Sequence, residues 1–185
     1  MSLNKEHQQR LLALAKSSIA HGLQTDKPLK VDLAGLPAEL TERRATFVTL
    51  HKNHQLRGCI GMLEAIRPLA EDIAENAFLA AFKDSRFPPL TLDEFNELEI
   101  HLSILTPAEP VSFTSEQDLL TQLKPGIDGL ILEEGRRRGT FLPSVWEQLP
   151  EPEQFLRHLK QKAGLAPDYW SESIKIYRYR TEMIV

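Results

Sequence analysis

The sequence predicts an α+β fold, mostly antiparallel sheet with packed helices. Three observations carry that prediction. Leu98, Ile100, Leu102 and Ile104 alternate with Glu99, His101 and Ser103, so Glu97 to Leu105 reads as a strand with one polar face. Short β-rich runs are joined by polar, turn-like residues, so hairpins dominate over strand–helix–strand alternation. Between them, Leu69, Ile73, Ala77 and Ala80, with Phe78 and Phe82 beside them, form a broad stripe of helical period that marks a largely buried helix.

The elements follow in chain order. Leu11, Leu14, Ala15, Ser18 and Ile19 recur at helical spacing and predict an amphipathic helix from about Asn4 to His21, stopped by Gly22. Thr25 to Leu40 contains Pro28, Gly35 and Pro37 and reads as an extended linker. Thr46 to His51 reads as a strand, Lys52 to Gln55 as a turn, and Leu56 to Leu63 as the returning strand. Pro68 suits the first turn of the buried helix. Arg86-Phe87-Pro88-Pro89-Leu90-Thr91 cannot be helical and makes a stiff loop. Beyond the alternating strand, Ser115 opens a short helix carrying Leu119, Leu120 and Leu123, which Pro125-Gly126 stops. Gly129 to Glu133 and Gly139 to Leu142 read as strands about a charged turn, Gly135 to Arg138. Pro143 begins a short helix through Trp146, Pro152 begins another toward Gly164, and Ser173 to Arg180 is a final β-rich run.

Composition narrows the class of protein. A chain of 185 residues with 42% hydrophobic and 26% charged residues suffices for one compact domain with a real core. A net charge of −4 gives no general basic excess for nucleic acid. The single cysteine excludes an intrachain disulfide and fits a reducing cytoplasm. Met1 to Arg10 is polar and lacks the apolar core of a signal peptide. No apolar run reaches the length of a membrane span. The expectation is a cytoplasmic protein with no membrane contact.

The stretch Leu56-Arg57-Gly58-Cys59-Ile60-Gly61 concentrates the chemistry. Two glycines inside a strand weaken it and ask for close approach by a ligand or a backbone. With Lys52–Gln55 as the loop, His51 lies opposite Leu56 and Val48 opposite Cys59. Alternation then sets Arg57, Cys59 and Gly61 on one face, with Val48 and Leu50, and turns Leu56, Ile60 and Met62 toward the core. Apolar neighbours favour an inert cysteine, whereas an adjacent guanidinium favours a reactive thiolate, and both readings stay open. A nucleophile needs a base, for which His51, His54 and His101 are available, His101 with Glu99 two residues before it. Arg86, on its proline-stiffened loop, is a second guanidinium for an anion. Arg136-Arg137-Arg138 could grip phosphate but follows Glu133-Glu134, and Arg178 and Arg180 alternate with Tyr177 and Tyr179 in a way that suits either RNA or a solvated sheet face. No second cysteine and no HExxH pattern occurs, so no metal site is expected; no phosphate-binding or dinucleotide glycine motif occurs, so no cofactor is expected.

The hexapeptide with its continuation Met62-Leu63-Glu64-Ala65 resembles the signature of the AMMECR domain family, whose prokaryotic members are called AmmeMemoRadiSam system protein A. Asp84-Ser85-Arg86-Phe87-Pro88-Pro89-Leu90, Glu99 to Leu105, Pro125 to Leu130 and Gly139 to Pro143 resemble further blocks of that family in the same order. The resemblance covers the chain beyond the first helix. It implies one domain of two unequal lobes, with the hexapeptide near a cleft, and association with a Memo-like protein and a radical-SAM protein.

Two readings of function follow. In the first, the protein is a cytoplasmic enzyme or enzyme component of a modification pathway. Cys59 is the reactive thiol, Arg57 and Arg86 orient an anionic group, Gly58 and Gly61 line the site, and Glu64 and His101 transfer protons. In the second, it is a non-catalytic binding or adaptor module that takes a peptide, nucleotide or RNA.

Overall fold

The computed structural model describes residues 2–185. Its elements in chain order are α1 (Lys5–Thr25), α2 (Ala38–Thr41), β1 (Thr46–Lys52), β2 (Gln55–Gly61), α3 (Leu69–Phe82), α4 (Leu92–Phe95), β3 (Leu98–Leu105), β4 (Glu109–Pro110), α5 (Glu116–Gln122), β5 (Gly129–Glu134), β6 (Arg137–Phe141), α6 (Pro152–Lys162), β7 (Lys175–Tyr179) and β8 (Thr181–Ile184). Single 3-10 turns sit at Leu33–Gly35 and Pro143–Glu147. The α+β class is as the sequence predicts. Two compact units result, one running to Leu105 and including Glu182–Val185, the other Thr106–Thr181.

In the first unit the sheet order is β2-β1-β3-β8, and β1 pairs antiparallel with both β2 and β3. One core joins Leu11, Ala15 and Ile19 of α1 to Ile73, Ala77 and Ala80 of α3 and to Val48, Leu50, Leu102 and Ile104 of the sheet. Each of the larger side chains so buried stabilises by about 1.5–3 kcal/mol. A buried polar knot locks α3 to β1: Thr46 Oγ1 donates to Asp72 Oδ2 at 2.6 Å, and Asn76 Nδ2 donates to the same oxygen at 3.0 Å.

Gly22 does not stop α1. The helix runs on to Thr25 and closes at Asp26 in the left-handed region (φ 57°). A side chain at Gly22 would come within 2.5 Å of Phe82 and 2.7 Å of Phe78, so this glycine admits the α3 aromatics instead.

The first hairpin differs from the sequence reading by one residue. Asn53 and His54 take φ of 50° and 62°, which a two-residue primed turn demands. Register shifts between Leu50 and His51: His51 faces Leu56, but Leu50 faces Gly58 and Thr49 faces Cys59. Arg57 is the additional residue of a β-bulge. Val48 and Leu50 therefore leave the cysteine's face and line the core with Gly58 and Ile60. Leu56, expected inside, is 42% exposed.

In the second unit the sheet order is β4-β7-β5-β6, and β7 pairs antiparallel with β4 and β5, as β5 does with β6. Leu130, Leu132 and Ile176 of this sheet join Leu119, Phe155, Leu156 and Leu159 in a separate core. Trp146 stacks on Phe155 with ring centroids 3.7 Å apart. The final β-rich run is divided: β7 belongs to this sheet and β8 to the other. Among the described residues no helix is long and apolar enough to cross a membrane.

Candidate functional site

Alternation along β1 turns Val48 and Leu50 into the helical core and Phe47, Thr49 and His51 to the opposite face of the first sheet. On that outer face Cys59 lies opposite Thr49, and Thr49 opposite His101, so the three form one row across β2, β1 and β3. The neighbouring rows are Gly61, Phe47 and Ser103, and Leu56, His51 and Glu99. Cys59 is half-buried, and its Sγ lies 3.2 Å from Thr49 Oγ1, where either atom can donate.

The imidazoles of His51 and His101 are neighbours, with centroids 4.6 Å apart and planes tilted 50°. His51 Nδ1 is buried and has no hydrogen-bond partner among the described residues. Burial, and after it the adjacent His51, hold the His101 pKa below its ordinary 6.5, while Glu99 opposes them. His101 is thus neutral at pH 7 and can accept a proton. Glu99, two residues before His101 in the chain, sets its Oε1 3.9 Å from His54 Nδ1 at the hairpin turn.

The main chain of Cys59 is held from outside the sheet. β2 is an edge strand, so Cys59 turns its N–H and C=O away from β1. The N–H donates to Asp84 Oδ2 at 3.0 Å, and Arg86 Nη2 donates to the C=O at 3.4 Å. Arg86 grips Asp84 twice, Nε to Oδ1 at 3.0 Å and Nη2 to Oδ2 at 2.8 Å. The pair acts where a further strand would and blocks that edge. The Arg86 hydrogen bond holds the Asp84 carboxyl well below the usual carboxylate range, although burial opposes it.

Arg57 is engaged elsewhere. It is buried, donating Nε to Glu94 Oε1 at 2.9 Å, and Nη2 to Glu94 Oε2 at 3.1 Å and to the Pro88 carbonyl at 2.8 Å. The Glu94 pKa falls to about 2, chiefly through the Arg57 hydrogen bond. Arg57 thereby pins α4 and the proline loop to the bulge. Phe87 packs near both guanidiniums, 5.8 Å from that of Arg57 and 5.4 Å from that of Arg86.

The two signature glycines answer to packing. A Cβ on Gly58 would lie 2.1 Å from the Ala80 carbonyl oxygen of α3, and one on Gly61 2.2 Å from that of Thr46. Gly58 therefore faces the helix: of the ligand and the backbone between which the sequence reading left its strand glycines, it meets the backbone of α3. Glu64 lies in the exposed turn after β2. In the other unit Arg137 donates to the Gly164 carbonyl, Arg138 pairs with Glu133 at 3.3 Å, and Arg178 lies 3.7 Å from Asp128. Among the described residues no group of three or more His, Cys, Asp or Glu side chains is arranged to hold a metal.

Sequence reasoning missed Thr49, Asp84 and Glu94. A carboxylate two residues before an arginine on a stiff loop, and Thr91 three before Glu94 as a capping box, were the available signals.

These features belong to a recognisable class. The AMMECR1 family model matches residues 12–184, and the chain belongs to that family. It is 43% identical to protein MJ0810 of Methanocaldococcus jannaschii, over 83% of this chain and 79% of that one. A protein of Thermotoga maritima is 44% identical over 80% of this chain and 81% of its own length. The crystal structure of the uncharacterized protein PH0010 from Pyrococcus horikoshii superposes with a TM-score of 0.90 at 36% identity, covering 98% of this chain and 92% of that one.

Proposed function

We propose that this protein is an enzyme or enzyme component that works through the Cys59 thiol, with Thr49 as its hydroxyl partner and His101 as proton acceptor. The observation that carries the reading is the 3.2 Å contact of Cys59 Sγ with Thr49 Oγ1 in a row that ends on a neutral imidazole. Thr49 Oγ1 is placed to exchange a hydrogen bond with the sulfur and so fixes the direction in which it points. Two strand spacings separate the Cys59 and His101 main chains by about 10 Å, so the proton passes through Thr49 or water. The setting is a cytoplasmic modification pathway with Memo-like and radical-SAM partner proteins, a placement that rests on the family resemblance alone.

One observation favours the alternative, a non-catalytic module for a peptide, nucleotide or RNA. Gly58, Gly61 and Arg57 all have structural duties, so much of the signature serves the fold. Alkylation of Cys59 by iodoacetamide, in the native protein and in the unfolded chain, separates the two. The enzyme reading expects faster reaction in the native state and a several-fold loss in Thr49→Val and His101→Gln. Complete native protection of Cys59 would leave the binding module.

A further inference from the structure

Resting on the thiol reading, the geometry assigns the site a substrate class. We infer that Arg86 is its anion contact, so that the substrate carries a carboxylate or phosphate oxygen close to the atom that meets the Cys59 sulfur.

The two arginines of the sequence reading part company here. The Arg57 side chain is 9% exposed and committed to Glu94 and the Pro88 carbonyl, whereas that of Arg86 is 54% exposed. Arg86 turns Nε and Nη2 inward to Asp84, which leaves its Nη1 edge outward. The Asp84 side chain is only 4% exposed, and both its oxygens are occupied. Oδ2 takes the Cys59 N–H and Arg86 Nη2, while Oδ1 takes Arg86 Nε and the Arg86 backbone N–H. The ion pair is therefore a dipole with its negative end inside and its positive end toward solvent.

Preorganisation strengthens the case. Asp84 fixes the guanidinium plane, the Phe87 ring lies 5.4 Å from it, and Pro88-Pro89 stiffen the loop. Little side-chain entropy is left to lose on binding. The hydrogen bond from Nη2 to the Cys59 carbonyl ties this charge to the residue that bears the thiol. An oxyanion on Nη1 would thus be held beside the sulfur.

Iodoacetate and iodoacetamide test this, since they differ in charge and share one reaction. The thiolate sulfur forms a bond to the methylene carbon, the carbon–iodine bond breaks with iodide leaving, and the thiol proton passes to base. The ratio of the iodoacetate rate to the iodoacetamide rate is measured for native and unfolded protein. Steering by one fixed cation should raise the native ratio roughly tenfold over the unfolded chain, with the gain shrinking as salt screens the charge. Acetate and inorganic phosphate, added separately, should slow iodoacetate more than iodoacetamide, and the stronger competitor identifies carboxylate or phosphate as the preferred oxyanion. Arg86→Gln should bring the ratio down to the unfolded value while its circular dichroism stays native, and Arg86→Lys should keep part of the gain. If Arg86→Gln does not fold, the salt and competition series on the unaltered protein decide the matter. A native ratio equal to the unfolded one, with both reagents reacting readily, overturns the anion contact and leaves the thiol reading standing. A native thiol inert to both reagents overturns both.

Discussion

At Gly58 a single hydrogen atom separates strand from helix. The Ala80 carbonyl would stand 2.1 Å from any Cβ, and that oxygen is main chain, which cannot swing aside. Gly58→Ala should therefore destabilise by about 3 kcal/mol or more, an overpacking cost at the top of its usual range, read from the denaturant midpoint. A midpoint close to that of the unaltered protein would mean β2 can slide from α3. Arg57 lies one residue earlier. Arg57→Leu leaves the Glu94 carboxylate with Lys52 at 3.6 Å as its remaining cation, and should cost about 3 kcal/mol. Loss of stability with Cys59 still alkylated at the native rate would show Arg57 acting through the fold.

Between elements, the decisive feature is the bulge that makes Arg57 surplus to the ladder. Period-two reading cannot see it, because alternation in β2 and in β1 each looks regular alone. It is why the sequence pointed to Val48 across from Cys59 and the structure has Thr49. Strands with strong alternation, such as β3, were legible to within a residue, and His101 was found on the face it occupies. The division of the last β-rich run between two sheets was not legible, since local propensity carries no partner information. Asp84 as the edge partner of Cys59 was hidden for the same reason: the contact spans twenty-five residues. The hairpin turn offers a local test. His54 sits at φ 62° with an exposed side chain, and its Nδ1 lies 3.9 Å from Glu99 Oε1. His54→Gly should stabilise by about 0.5–1 kcal/mol, measured by thermal unfolding, because glycine takes that conformation without steric cost and exposed pairs contribute little. A lower melting temperature would show that the His54–Glu99 pair matters more than the turn.

Over the whole molecule, stability should fall at both ends of the pH scale for reasons lodged in different units. In the first unit the Glu94 pKa is drawn from 4.5 to about 2, chiefly by the Arg57 hydrogen bond, and Asp84 is displaced in the same direction by Arg86. Below their unfolded values these groups bind fewer protons folded than unfolded, so their contribution is complete above about pH 4.5 and drains as pH falls toward 2. Glu94 alone accounts for a loss on the order of 2–3 kcal/mol. His101, lowered by burial, adds an earlier loss that begins as pH falls through 6.5. In the second unit burial pushes Tyr179 up to about 12, against the opposing hydrogen bond with Thr140. Its neutral form is favoured in the fold, so that contribution is complete below pH 10 and is lost as pH rises toward 12. Urea unfolding across pH tests both limbs. Glu94→Gln should be less stable at neutral pH and lose less between pH 4.5 and 2 than the unaltered protein. Tyr179→Phe should cost about 1 kcal/mol at neutral pH, through its hydrogen bonds to Thr140 and the Phe141 carbonyl, and flatten the alkaline limb. An alkaline limb as steep in Tyr179→Phe as before would move the responsible proton to another group.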